Sequence, residues 1–163
     1  MMHPPNAAIL LVEDDDGHAS LFARHFQRAG RGERLVRVSD GEEALAYLTG
    51  VATAHAAAGC QPRPGLILLD IRMPGLDGFE VLARLKRNPA YRHTPVIMLT
   101  STDSQQEINH AYALGASAYV VKPVNPDAFA DRIAKLSGFL DVLELPEVRQ
   151  PENHDVRGSA SRG

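Results

Sequence analysis

The chain has 163 residues, 44% of them hydrophobic, and a formal net charge of −3. That suits one globular domain with a real core plus a modest extra segment, and the scattered basic residues argue against a nucleic-acid surface. No apolar run approaches a membrane span, Met1 to Asn6 is too short and polar for a signal peptide, and the single Cys60 excludes an internal disulfide framework, so the expectation is a cytoplasmic protein.

Residues 7–12 form an apolar run that closes on Glu13-Asp14-Asp15-Asp16, the pattern of a strand entering an acidic loop. Leu21, Phe22, His25, Phe26 and Ala29 then fall at helical spacing, with Asp15 or Asp16 as the cap. Gly30 and Gly32 stop that helix, and residues 35–38 make a short second strand. Ser39 with Glu42 three residues on reads as a capping box for a second helix whose apolar face is Ala44, Leu45 and Leu48. Residues 49–64, rich in Ala, Gly and Pro, read as a long surface loop, with a partly helical course left open by the sequence, and Cys60 inside it is incidental.

Leu66-Ile67-Leu68-Leu69 is long enough for a strand buried on both faces. It ends on Asp70, after which Pro74 and Gly75 turn the chain. Asp77-Gly78 leads into a helix with Phe79, Val81, Leu82 and Leu85 inward, ending near Asn88-Pro89. Residues 95–100 are the next buried strand, closing on the hydroxyl of Thr100. A weaker helix with Ile108, Ala111, Tyr112 and Leu114 follows, ended by Gly115. Residues 118–121 are the last strand, followed by Lys122-Pro123, and a final helix begins near Pro126. Five alternations of strand and helix imply an α/β, doubly wound, five-stranded parallel sheet of order 2-1-3-4-5, with helices on both faces.

In that order the first and third strands lie side by side, so Glu13, Asp14 and Asp70 gather at the carboxyl edge where such sheets bind ligands. Taken singly, Asp70 could merely open a turn, and the acidic run could merely cap a helix. Together the carboxylates repel unless a cation neutralises them, and an all-oxygen set selects a hard ion such as Mg²⁺ or another divalent cation. Lys122 and Thr100, at the ends of the fifth and fourth strands, add a positive charge and a hydroxyl donor suited to phosphoryl oxygens. The constellation fits an aspartate nucleophile that accepts a phosphoryl group, a reaction that needs mainly positioning and charge neutralisation.

Residues 9–15, 69–78, 98–101 and 121–123 resemble the receiver domains of two-component response regulators, over about residues 7–138. The resemblance implies a flavodoxin-like fold and a signalling protein, not an enzyme with an external product. It implies Asp70 as acceptor of phosphoryl from a sensor histidine kinase, and Glu13 and Asp14 as the Mg²⁺ acids, with Asp70 and the backbone carbonyl of Arg72 as further ligands. It also implies Thr100 and Tyr119 as a coupled switch, Lys122 as the catalytic lysine, and a cis bond before Pro123. Residues 49–64, 87–95 and 138–146 are similar to stand-alone regulators that partner bacterial phytochromes, although Arg72 and Leu140 depart from that pattern.

Phe129, Ile133, Leu136, Leu140 and Leu143 are spaced 4, 3, 4, 3, a coiled-coil-like stripe. The first three should pack on the sheet, whereas Phe139, Leu140, Val142 and Leu143 lie past the usual domain end and predict a homodimer contact. Gly138 is expected to mark a bend. The division is therefore a receiver domain at 7–138, an apolar helical extension at 139–149 and a polar disordered tail at 150–163. Two rivals stand beside this reading: a receiver-like scaffold that is never phosphorylated, and an Asp-nucleophile phosphatase. The phosphatase would want a second Asp where Arg72 stands.

Overall fold

The computed structural model describes residues 7–53 and 63–146. Five strands alternate with five helices: β1 (Ala8–Val12), α1 (Asp16–Arg28), β2 (Leu35–Val38), α2 (Gly41–Thr53), β3 (Pro64–Asp70), α3 (Gly78–Arg87), β4 (Val96–Thr100), α4 (Gln105–Ala113), β5 (Ala118–Val121) and α5 (Pro126–Leu140). The sheet is parallel throughout, in the order β2-β1-β3-β4-β5, as the alternation requires. The three inner strands are buried along their whole length and the two edge strands mostly half-buried, which is why β1, β3 and β4 are continuous apolar runs.

Side-chain alternation divides the core into two layers. Leu10, Val12, Ile67, Leu69, Val96 and Met98 face α2, α3 and α4, packing on Ala44, Leu48, Val81, Leu82, Leu85 and Ala111. Ile9, Leu11, Leu66, Leu68, Ile97 and Leu99 face α1 and α5, packing on Phe22, Phe26, Phe129, Ile133 and Leu136.

Two local expectations are corrected. The capping box of α2 is displaced by one residue: Asp40 Oδ1 accepts from the Glu43 amide at 2.7 Å, and Glu43 Oε2 accepts from the Ser39 amide at 2.9 Å. The Asp40/Glu43 pair has the same spacing as Ser39/Glu42, and Glu42 is engaged elsewhere, accepting from the Leu76 amide. Helix α2 runs on through Gly50 to Thr53, and Pro64 already opens β3, so residues 49–53 and 64 are not loop. The glycine costs the helix about 1 kcal/mol, offset by Leu48, which is buried and whose carbonyl accepts from the Tyr91 hydroxyl. The rest of that segment, Cys60 included, lies outside the described residues, as does the tail at 150–163.

Helix α5 continues through Gly138 to Leu140, and a methyl group placed on that glycine would have no neighbour within 4 Å. The end of the helix is held by Arg31, a buried residue in the turn after α1. The guanidinium donates to Ser137 O at 2.7 Å and to Ser137 Oγ at 2.6 Å, and pairs with Asp141. Among the four residues expected at a homodimer contact, Phe139 and Val142 are exposed, whereas Leu140 packs partly against its own core. No helix among the described residues is long and apolar enough to cross a membrane.

Candidate functional site

Strand register brings the chemical groups to one edge. Val12 pairs with Leu69, Asp70 with Leu99, and Thr100 with Val121. Glu13 therefore leaves β1 level with Asp70, and Lys122 leaves β5 just beyond Thr100. Alternation carries Glu13, Asp70 and Lys122 toward the α1/α5 layer and Thr100 toward the α4 layer.

Oxygen atoms of Glu13, Asp14 and Asp70 lie within 4.8 Å of one another. Glu13 and Asp70 are buried and Asp14 is exposed, so the cluster is open on one side. Lys122, itself buried, places its ammonium between the two buried acids, donating to Glu13 Oε2 and, at 2.9 Å, to Asp70 Oδ2. Burial pushes the Glu13 carboxyl up from 4.5 to about 7; the Lys122 charge opposes that rise and the Asp70 charge adds to it. Three carboxylates against one ammonium leave an excess of negative charge. An all-oxygen set with an open side and excess charge fits a hard divalent cation that keeps waters and a phosphate oxygen among its ligands.

Several groups that hold this arrangement are not evident from the sequence. His18 lies with Nδ1 3.4 Å from the Lys122 ammonium and its ring edge-on to Phe129 at 4.9 Å. Asp15, one of the two residues expected to cap α1, does so, accepting from the His18 amide at 2.9 Å. Arg37 of edge strand β2 reaches across the acidic loop, donating to Glu13 O at 2.9 and 3.0 Å and pairing with Asp16 at 2.8 Å. Its only sequence signal is a charge inside a short apolar strand.

The turn after Asp70 is set by Asp77 and Gly78. Asp77 caps α3 by accepting from the Glu80 amide, and the Gly78 amide donates to Ile71 O at 2.9 Å. A methyl on Gly78 would sit 2.2 Å from Asp70 O, so only glycine lets α3 start against the strand end that carries Asp70. The Arg72 amide donates to Asp70 Oδ1 at 3.3 Å. Thr100 is fully buried, its Oγ1 accepting from the Thr102 amide at 3.4 Å, and the Tyr119 hydroxyl donates to Thr102 O at 3.0 Å. These two residues thus meet at the loop entering α4, on the opposite face of the sheet from the acid cluster, and the four apolar residues of the extension lie at the end of α5 and just beyond it.

One expectation fails here. All peptide bonds described are trans, including the one before Pro123. Trans is the ordinary state of such bonds, favoured by about 0.5–1 kcal/mol.

The family model of the response regulator receiver domain matches residues 9–134. The probable methanogenesis regulatory protein FilR2 of Methanothrix harundinacea is 39% identical over 117 residues, covering 72% of each chain. Response regulator Rcp1 of Synechocystis is 32% identical over 143 residues, covering 87% of this chain and 95% of the relative. The crystal structure of the Mn²⁺-bound form of Rcp1 superposes with a TM-score of 0.76 at 31% identity, covering 86% of this chain and 99% of that one. The crystal structure of the phosphorylated cyanobacterial phytochrome response regulator RcpA also superposes with a TM-score of 0.76, at 32% identity, covering 87% and 99%.

Proposed function

Because the chain belongs to the response regulator receiver family, whose members are signalling proteins, we propose that it accepts a phosphoryl group from a sensor histidine kinase onto Asp70. The observation that supports this most is the Lys122 ammonium seated between Glu13 and Asp70, with Asp14 on the open side. In the transfer, an Asp70 carboxylate oxygen forms a bond to phosphorus as the phosphorus–nitrogen bond of a phosphohistidine breaks. The bonding pair leaves with the ring nitrogen, which takes up a proton. A divalent cation such as Mg²⁺, held by Glu13, Asp14, Asp70 and the backbone carbonyl of Arg72, would neutralise charge on the phosphoryl oxygens.

The chain's own residues supply positioning. The Arg72 amide and the Lys122 ammonium fix the two Asp70 oxygens in different directions. Lys122 donates to Glu13 and Asp70 and has a third proton to spare; directing it at a phosphoryl oxygen keeps its charge neutralised. Thr100 contributes a hydroxyl to the phosphoryl group and Tyr119 follows its movement.

The likeness to a phosphorylated phytochrome response regulator supports a bacteriophytochrome as the kinase. The exposed Phe139 and Val142 support a homodimer through β4, α4, β5 and α5, extended by residues 139–146. Acetyl phosphate with Mg²⁺ tests the central claim by intact mass: the wild-type chain gains one phosphoryl group and Asp70→Asn gains none. An equal adduct on both would overturn it.

A further inference from the structure

Helix α4 is lightly anchored for an element that flanks the site. Ala111 is its one fully buried residue, and its cap Ser104 makes no side-chain bond to the helix. Two contacts reach it from the segment following Asp70. The Phe79 ring lies 4.6 Å from that of His110, and Arg72 Nη2 meets Glu107 Oε1 at 2.8 Å. The second Glu107 oxygen, Oε2, is buried and has no hydrogen-bond partner among the described residues. Within the hydrogen bonds described, that carboxylate is held by Arg72 alone.

Arg72 is differently placed. Its backbone amide already faces Asp70 Oδ1, while its side chain is 69% exposed and can turn without leaving a cavity behind. A phosphoryl group on Asp70 would carry a charge of about −1.5 to −2 and three acceptor oxygens, against the single charge of Glu107. Guanidinium binds such an oxyanion in bidentate fashion. Loss of Arg72 would leave the half-buried Glu107 carboxylate, whose Oε2 already has no hydrogen-bond partner among the described residues, without its cation, and a shift of α4 toward water would relieve it.

We propose that Arg72 is an exchangeable cation: it pins α4 through Glu107 while Asp70 is bare, and turns to the phosphoryl oxygens when Asp70 is phosphorylated, releasing α4. The inference rests on the reading of Asp70 as phosphoacceptor. It gives α4 a signal path built from this chain's own pair, running beside the Thr100–Tyr119 contact and not through it. The released surface, bounded by the exposed Tyr112, is where a partner would sense the change.

Amide exchange of α4, read by mass spectrometry on the full chain with and without acetyl phosphate and Mg²⁺, tests this. Intact mass on the same samples reports the adduct. In the wild-type chain α4 exchange rises about two- to fivefold once the adduct forms, the scale of a part-exposed ion pair. Arg72→Ala and Glu107→Gln exchange at the faster rate beforehand and gain nothing further. The reversed pair Arg72→Glu with Glu107→Arg restores slow exchange and keeps it when the adduct forms, because no cation then stands at position 72. Equal α4 exchange in phosphorylated and bare wild type, with the adduct present, overturns the exchange. So does wild-type exchange in unphosphorylated Arg72→Ala. An absent adduct overturns the phosphoacceptor reading itself, and the mass spectrum separates that failure from the other two.

Discussion

Helices α1 and α4 flank the same edge of the sheet and are held very differently. Helix α1 has 13 residues, a cap bond from Asp15 to the His18 amide, and three buried side chains, Ala19, Phe22 and Phe26. Phe22 packs against both Phe26 and Phe129, with ring centres 6.0 and 5.8 Å apart. Helix α4 has 9 residues, no side-chain cap bond and one buried residue. The acids and the lysine stand on the α1 side, where the proposed phosphoryl transfer would need charges already fixed. Thr100 and Tyr119 stand on the α4 side, where a small energy moves a helix. Charge neutralisation wants rigidity and signalling wants compliance, and the fold separates them by strand alternation.

The largest expected effect sharpens that contrast. Phe22→Ala should cost about 3–5 kcal/mol in urea unfolding, since it empties a fully buried aromatic site. Tyr112→Ala on the exposed face of α4 should change stability by less than about 0.5 kcal/mol. Comparable losses would show that the two helices are equally anchored and break the comparison.

Next in size, Lys122→Ala leaves buried Glu13 and Asp70 facing one another without their common cation. The expected cost is about 3 kcal/mol above neutral pH. It should shrink in acid, where Glu13 takes a proton, and in Mg²⁺, which replaces the missing charge. Thermal melts across pH and Mg²⁺ concentration would show both trends, and a cost independent of both would mean that the lysine acts only by packing.

Much of this edge could be read from the sequence because each inner strand is an uninterrupted apolar run that stops on a polar group. Asp70, Thr100 and Lys122 mark their own strand ends, and alternation of elements supplies the neighbours. What the sequence hides is reach and register. Arg37 and His18 contribute through side chains that cross between elements, which spacing along the chain does not encode. Ser39/Glu42 and Asp40/Glu43 are equally good capping pairs, and only the turn at Leu76, which occupies Glu42, selects between them. Gly50 and Gly138 resemble interruptions, yet neither has a neighbour within 4 Å of where a side chain would start, and packing on either side carries the helix through. Arg31, distant in sequence, fastens the end of α5.

A smaller effect follows from Glu13, which burial raises from 4.5 to about 7. Between those values the folded chain keeps a proton that the unfolded chain has released. Without divalent cation, stability therefore falls as pH rises through this window, by something on the order of 1 kcal/mol. A cation binds the deprotonated acid, so Mg²⁺ should raise the melting temperature more at about pH 8 than at about pH 5.5. Equal Mg²⁺ shifts at both pH values would remove Glu13 from the ligand set.

The smallest effect probes the soft side directly. Tyr119 is half-buried and its hydroxyl donates to Thr102 O at 3.0 Å, in the loop that leads to α4. Tyr119→Phe keeps the ring and removes the hydroxyl, and with it the bond to Thr102 O and the contact with the Thr100 side chain, at a cost of about 1 kcal/mol. Because the bond ends on a backbone carbonyl in the α4 entry loop, the loss should appear as faster amide exchange around residues 102–108. The α1 amides and the Asp70 adduct level should stay unchanged, since Glu13, Asp70 and Lys122 sit on the other layer. If the substitution instead lowers adduct formation as strongly as Lys122→Ala does, the hydroxyl belongs to the charge-holding half, and the division of labour between α1 and α4 does not stand.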